Sequence, residues 1–544
     1  MYLFDYDNLK GITQTEKGRE YVEYLRNYYE ENFADNPILA LKYSYAKLFS
    51  INGNRTLFQA MYSDRRKRLM ALQVLAIADD KYIEPLEDVL AAICDEFTWV
   101  LPAHAANHLI DLMAAETSMY LAETLYVMGE RLSEEIRKRI YTSIENKIIK
   151  IYENNSFIWD TTRRNNWDAV CASGVGISYL YLFPERFPRV KDRLFKTFDL
   201  YLESLDKDGY CTEGYSYWVY GFSFFCLFYD VYEQLTGEHA AVLDSELVKN
   251  IALYGQYAKI DKDFCLPYAD GGRNNTNDQS DILCTIERMF GVDLNLKEKG
   301  YLSQGSRPLG YRVLVTLDRS HSSKKESVGT VFYNVSQVFI RRNGNYAFTV
   351  KGGHNDECHN HNDVGTFAIF KNGKQYIADI GVGEYTAYYF KAQYRYGIFP
   401  CSSLSHSVPI VDGKAQEPGK EYCATVLSHD ETSVTYDIAK AYKDGATKLI
   451  AAYRVEQDGV GVSYSCEGIK EKIVFRFASF TQPQIKDGKV FIEDMEIETD
   501  LAVSPEIKAN EYSNYSGEKT IAYTIDYEVI KSGNVNAEFK FKFQ

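Results

Sequence analysis

SQVFIRRNGNYAFTVKGG, residues 336–353, decides what the second half of this chain is. Val338 and Ile340 face one way, an Asn343-Gly344 pair follows, and Tyr346, Phe348 and Val350 resume the alternation. A period of two on both sides of a turn that favours positive φ is a β-hairpin. SEEIRKRIYTSIENKIIKIYENN, residues 133–155, reads as its opposite. Ser133 can cap, Glu134 and Glu135 suit the positive end of a helix, and Ile136, Ile140, Ile144 and Ile148 recur four apart.

Working outward, the helical period holds from about residue 15 to 300. Helices are expected near 83–97, 105–130, 133–154, 164–182, 186–206, 214–237 and 242–258, with no strand between them. A long series of antiparallel helix pairs must curve into a solenoid or a closed toroid to bury its apolar faces. Past residue 325 the period is two. Asn-Gly or Asp-Gly pairs start at Asn343, Asn372, Asp412, Asp444, Asp458 and Asp487, against Asn52, Asp208 and Asp270 earlier. The second half is therefore an antiparallel β-domain, read as a sandwich. The expected division is 1–310 and 311–544, joined by a packed connection at 294–326 that carries Gly300, Gly305, Pro308 and Gly310.

The chain has 544 residues, 45% hydrophobic and 25% charged, which excludes fibrous, disordered and disulfide-stapled classes. Its net charge of −15, with no basic stripe, argues against nucleic acid or an anionic membrane as partner. The 45 tyrosines are the unusual count, since a phenol offers a flat apolar face and a weak acid, a combination suited to sugars. The ten cysteines form no C-x-x-C pair and read as reduced thiols. With no basic n-region and apolar h-region at the start, the expectation is a cytoplasmic protein; the oligomeric state is open.

Of only nine histidines, four lie between 354 and 406. His361, Asp379 and His406 stand at the ends of three expected strands, and two imidazoles with a carboxylate suit Zn²⁺ or another divalent metal. The alternative is that these histidines hydrogen-bond backbone at strand ends. In TTRRNNWDAVCASG, Arg163, Arg164, Asn165, Asn166 and Trp167 open a helix where free N–H groups already favour an anion such as a carboxylate. Tyr217 and Tyr220, three apart after Gly214, share a helix face, either as site residues or as a core stripe.

These segments resemble the heparinase II/III-like polysaccharide lyases: TWVLPAHAANHLIDLMAAET at 98–117, NNW at 165–167, DGYCTEGYSYWVYG at 208–221, HNHND at 359–363, YIADIG at 376–381 and SHSVPIVDG at 405–413. The resemblance spans about residues 90 to 415 and lies in the order of the motifs. It implies an incomplete α/α toroid followed by a β-sandwich, and β-elimination of uronic-acid polysaccharides, with glycosaminoglycans favoured over alginate. It also implies roles: Asn166 neutralises the substrate carboxylate, Tyr217 or Tyr220 is the catalytic tyrosine, and His359 is the sandwich histidine near the substrate. His361, Asp379 and His406 become ligands of a structural divalent metal, zinc by preference. Many relatives have histidine after the asparagine; here it is Trp167, which moves proton abstraction to the tyrosine or His359. His104, Arg163, Arg164, Trp167 and Arg395 are the expected substrate contacts, with Tyr385, Tyr388, Tyr389 and Tyr394 as further aromatic candidates.

Competing readings are a glycoside hydrolase using Asp208 and Glu213, which leaves the histidines without work, and a non-catalytic carbohydrate-binding protein.

Overall fold

The computed structural model describes residues 5–261, 264–271, 280–294, 310–317 and 329–544. Most of the expected connection at 294–326, including Gly300, Gly305 and Pro308, lies outside the described residues. Chain contacts divide the protein into two units, one of residues up to 205, 218–252 and 277–323, the other of 206–217, 253–276 and 324–544. This differs from a single cut at 310. The two early segments bond to the second unit, the first to the turn between Gly329–Tyr333 and Val338–Arg342 and the second to the strand Ala347–Lys351. Ser336 donates to Asp206, Val335 N donates to Asp208 at 3.2 Å, and Tyr268 donates to Thr349 Oγ1 at 3.1 Å.

The first unit is the helical layer, an incomplete α/α toroid of inner and outer helices. Leu112–Met128 and Asn166–Leu182 are buried nearly all round, as inner helices must be. They touch backbone to backbone: a Cβ on Gly174 would lie 2.4 Å from the Ala115 carbonyl oxygen, and Ser178 Oγ donates to Ser118 Oγ at 2.9 Å. Glu134–Ile144 is an outer helix, capped by Ser133 and burying Ile136, Ile140 and Ile144. A single π turn, Glu145–Ile149, follows before Lys150–Asn154 restores the α-helix, and it buries both Ile148 and Ile149. The expected helix at 105–130 starts only at Leu112, because Asp111 caps it, accepting Ala114 N at 2.8 Å and Leu101 N at 3.0 Å. Among the described residues no helix is long and apolar enough to cross a membrane.

The second unit is the antiparallel β-sandwich. A five-stranded meander runs from Gly329–Tyr333 to Lys374–Ile377, beside sheets of eight and four strands. Val338–Arg342 and Ala347–Lys351 form the expected hairpin, with Arg342 opposite Ala347. Gly533–Phe543 alternates, with Val535, Ala537, Phe539 and Phe541 inward, and these pack in one core with Phe348, Phe367, Tyr453 and Phe477. Ala347–Lys351 does not alternate and is buried on both faces. Tyr268, from a segment read as helical ground, covers its second face. That segment also contains the short antiparallel pair Lys259–Asp261 and Phe264–Cys265, where no strand was expected. All ten cysteines are free thiols, and all but Cys358 and Cys423 are buried.

Candidate active site

The residues that converge in the sandwich unit come from loops. The chain between Ala347–Lys351 and Phe367–Lys371 carries His354 through Asp363 and is pinned at its root by Lys351, whose ammonium lies 2.8 Å from Asp363 and 3.0 Å from Glu357. Gln416 and Ser403 fix its far side: Asn362 donates to the Gln416 carbonyl at 3.0 Å and accepts from Ser403 Oγ at 2.8 Å. His359 sits in this loop at φ 58, a conformation that costs a non-glycine residue energy and is kept where surrounding structure dictates it.

Its imidazole lies over the ring of Tyr217, centroids 4.2 Å apart and planes at 29°. His359 Nδ1 is 2.6 Å from Asp270 Oδ2, and Nε2 lies 3.5 Å from Glu213 Oε2. Tyr217 is brought there by a close contact between turns: Gly214 has φ +105, and a Cβ on it would lie 2.6 Å from the Gly271 Cα. The phenol of Tyr217 shares a 2.5 Å hydrogen bond with Tyr385. Burial, then the Asp270 charge, push the Tyr217 pKa well above that of an ordinary phenol, with the Tyr385 hydrogen bond opposing. Tyr217 is thus a neutral phenol at neutral pH, with its proton in place.

Asp270 is the hub that the sequence reading missed, taking it only as the start of an Asp-Gly turn. Fully buried, it accepts from His359, from His361 Nε2 at 3.0 Å, from Tyr389 at 2.5 Å, from Tyr385 at 3.1 Å and from Arg395 at 3.2 Å. Burial opposes its charge. The hydrogen bonds from both histidines and the Arg395 charge overcome that and hold the carboxyl well below its usual range. Arg395, expected to touch substrate, is instead buried, donating to the Asn360 carbonyl at 2.9 Å and to Asp270. Tyr388 and Tyr394 are exposed and pack edge to face at 5.2 Å. Asp208, the first carboxylate of the hydrolase reading, receives the Val335 amide; Glu213, the second, faces His359.

His361, Asp379 and His406 are wholly buried, with one ligand atom from each within 4.8 Å of the others. Hydrogen-bond partners assign the tautomers. His361 Nε2 donates to the Asp270 carboxylate at 3.0 Å, which leaves Nδ1 as its ligand atom; burial opposes the ring's charge, but Cys401 and Asp270 raise its pKa to about 10, so a metal would bind in exchange for the Nδ1 proton. His406 faces an acceptor on either side, the Pro400 carbonyl 3.0 Å from Nε2 and Asp379 Oδ2 3.0 Å from Nδ1; the carbonyl keeps the Nε2 proton, and a cation would take the place of the Nδ1 proton that otherwise bonds Asp379. Two imidazole nitrogens and a carboxylate converging in a buried site fit a divalent cation, which would displace the protons they otherwise hold, and Asp270 and Pro400 supply the outer partners that metal-bound imidazoles need. The donors stand on irregular chain rather than at three strand ends; His406 follows the turn Ser403–Ser405, four residues ahead of the strand Ile410–Val411.

The helical unit holds a second cluster. Asn166 is the first residue of the helix Asn166–Leu182, as expected, with Asn165 as cap and Trp167 N donating to it at 3.0 Å. The Trp167 ring carries the Arg163 guanidinium at 4.4 Å and the imidazoles of His104 and His108 at 4.9 and 4.7 Å. Asp111 receives His104 Nδ1 at 2.8 Å, which leaves Nε2 to accept from Arg55 at 3.2 Å. Burial, then the Arg163 charge, push the His108 pKa down. His108 and Arg55 were not singled out in the sequence. Arg164 turns away to pair with Glu203 at 2.7 Å. Tyr220 is buried and donates to Glu116.

No family model and no curated protein matches the sequence. The structure is similar to solved ones. A heparinase III crystal structure superposes with a TM-score of 0.64 at 14% identity, covering 89% of this chain and 77% of that one. The heparan sulfate lyase HepC from Pedobacter heparinus gives 0.59 at 12%, over 89% and 76%. The Streptomyces coelicolor A3 chondroitin AC lyase in complex with chondroitin sulphate gives 0.57 at 9%, over 99% and 82%.

Proposed function

We propose that this chain, which has the heparinase-like polysaccharide lyase fold, cleaves uronic-acid polysaccharides or oligosaccharides by β-elimination, with glycosaminoglycans as the favoured class. The observation that carries the reading is the stacked pair of Tyr217 and His359, one a neutral phenol and the other an imidazole whose tautomer is set by Asp270.

Elimination removes a weakly acidic proton from C5 of a uronate and expels the C4 oxygen, so it needs a base, an acid and a field that quenches the carboxylate. With Nδ1–H given to Asp270, His359 Nε2 has the lone pair and takes the C5 proton. The C5–H electrons become the C4=C5 bond, the C4–O bond breaks, and the Tyr217 hydroxyl gives its proton to the leaving oxygen. Its raised pKa suits this direction. Tyr220, bonded to Glu116, has no part in this reading. Asn166 is assigned the carboxylate on the resemblance and on its place at a helix start; Arg163, His104 and Trp167 are assigned sugar and acid contacts.

His361, Asp379 and His406 would hold a divalent metal, zinc by preference, that ties together the loops presenting His359. Stripping it with a chelator should lower the melting temperature, and zinc should restore it.

The test is ultraviolet absorbance during incubation with a panel of uronate polysaccharides and oligosaccharides. Growth of the conjugated C4=C5 chromophore supports the reading and identifies the substrate; new reducing ends without it mean hydrolysis and overturn it.

A further inference from the structure

We infer that Asp270 is a positioning residue that ties the His361, Asp379 and His406 centre to His359, one carboxylate setting both tautomers. Each oxygen serves one imidazole: Oδ1 takes His361 Nε2 at 3.0 Å, and Oδ2 takes His359 Nδ1 at 2.6 Å. A carboxylate can only accept, so both histidines must carry their proton on the nitrogen that faces it. The nitrogens left over are Nδ1 of His361, for the metal shared with Asp379 and His406, and Nε2 of His359, on the partly exposed side beside Tyr217 and 3.5 Å from Glu213 Oε2.

Three features set this apart from ordinary packing. The carboxylate is entirely buried and, among the described residues, its side-chain partners all donate: two imidazoles, the hydroxyls of Tyr385 and Tyr389, and the Arg395 guanidinium. Arg395 balances the charge, and its bond to the Asn360 carbonyl holds the one residue between the two histidines. The backbone at His359 takes positive φ. That is strain accepted at the residue whose ring must reach the same carboxylate as His361, two positions on. An asparagine in place of Asp270 would offer one donor and one acceptor, so one imidazole would have to reverse its tautomer and lose either its metal-facing or its substrate-facing lone pair.

The role of His359 in this inference rests on the lyase reading; the tautomers and the metal do not. The experiment compares wild type, Asp270→Asn and, as a packing control on the same oxygen, Tyr389→Phe. Protein stripped with a chelator is titrated with zinc(II) against a chromophoric competitor, and imidazole 15N–1H correlations are recorded on 15N-histidine-labelled protein, with His359 assigned by His359→Asn. The expected result is at least tenfold weaker zinc binding in Asp270→Asn, in line with loss of an outer partner of a metal-bound imidazole. Tyr389→Phe should stay within threefold of wild type. The His359 signal in wild type should show the proton on Nδ1. On the substrate found by the absorbance assay, kcat of Asp270→Asn should fall at least tenfold with KM within threefold. Zinc binding within threefold of wild type in folded Asp270→Asn would overturn the inference. So would a His359 proton on Nε2 in wild type, a result that needs no variant to fold. If no uronate is cleaved at all, the proposed function falls, while the zinc and nitrogen signals still decide the link.

Discussion

The Trp167 cluster of the helical unit and the Asp270 cluster of the sandwich unit are both built from histidine, arginine and aromatic rings, and they are wired in opposite ways. Around Trp167 one guanidinium, Arg163, and two imidazoles pack on a partly exposed ring. Around Asp270 the donors all point inward at a carboxylate with no exposure. The first arrangement gathers its groups on an uncharged ring, and the second gathers its donors on one carboxylate that holds two imidazoles. The roles proposed for them divide the same way, recognition at Trp167 and preorganisation at Asp270, one centred on an uncharged ring and the other on a carboxylate.

That contrast can be broken by substitution. The largest effect is expected from Tyr217→Phe, which keeps the stack on His359 but removes the proton. General acid catalysis is worth about 10²–10⁴-fold, so kcat in the absorbance assay should fall by roughly that factor with KM nearly unchanged. A rate near wild type would remove Tyr217 from the chemistry. Next is Gly174→Val, whose added carbons meet the Ala115 backbone. Overpacking of this kind costs about 3 kcal/mol, seen as a lower midpoint for loss of helical circular dichroism, with zinc binding by the sandwich unit unchanged.

Asp206 gives the corresponding probe of the sandwich unit. Burial raises its pKa to about 6, against a hydrogen bond from Ser336 and helped by the Asp208 charge. A carboxyl raised in the fold contributes stability that is fully present below its unfolded pKa and lost as pH rises through about 6. Wild type should therefore lose about 1–3 kcal/mol between pH 4 and 6.5 from this group, and Asp206→Asn should flatten that slope in urea melts. The smallest effect is expected from Trp167→Ala: a KM increase of about tenfold, the size of a lost stacking or cation–π contact, with kcat kept. If kcat fell instead, the division between recognition and chemistry would fail.

Periodicity made both fold halves legible, because amphipathic helices and alternating strands write their burial into residue order. The scarcity of histidine made His359, His361 and His406 conspicuous, and Asp379 followed from its place after the Asn372-Gly373 turn. Asp270 was not legible. It lies 89 residues from His359, and nothing in its neighbours distinguishes a turn aspartate from a buried hub. The segments 206–217 and 253–276 were assigned to the helical half for a related reason. Their membership of the sandwich unit comes from hydrogen bonds to residues far along the chain, such as Arg342 to the Lys259 carbonyl and Tyr268 to Thr349, and such bonds leave no period. The inward turn of Arg395 was hidden in the same way.

The π turn at Glu145–Ile149 bears on how this chain could change length. A π turn is an α-helix holding one extra residue. Excising one residue there would return the segment to a plain helix and leave the flanking isoleucines in phase. The same excision within Asn166–Leu182 would rotate everything beyond it by about 100°, carrying a side chain into the place where Gly174 meets Ala115. Natural or engineered deletions should therefore be tolerated at the first site and excluded from the second.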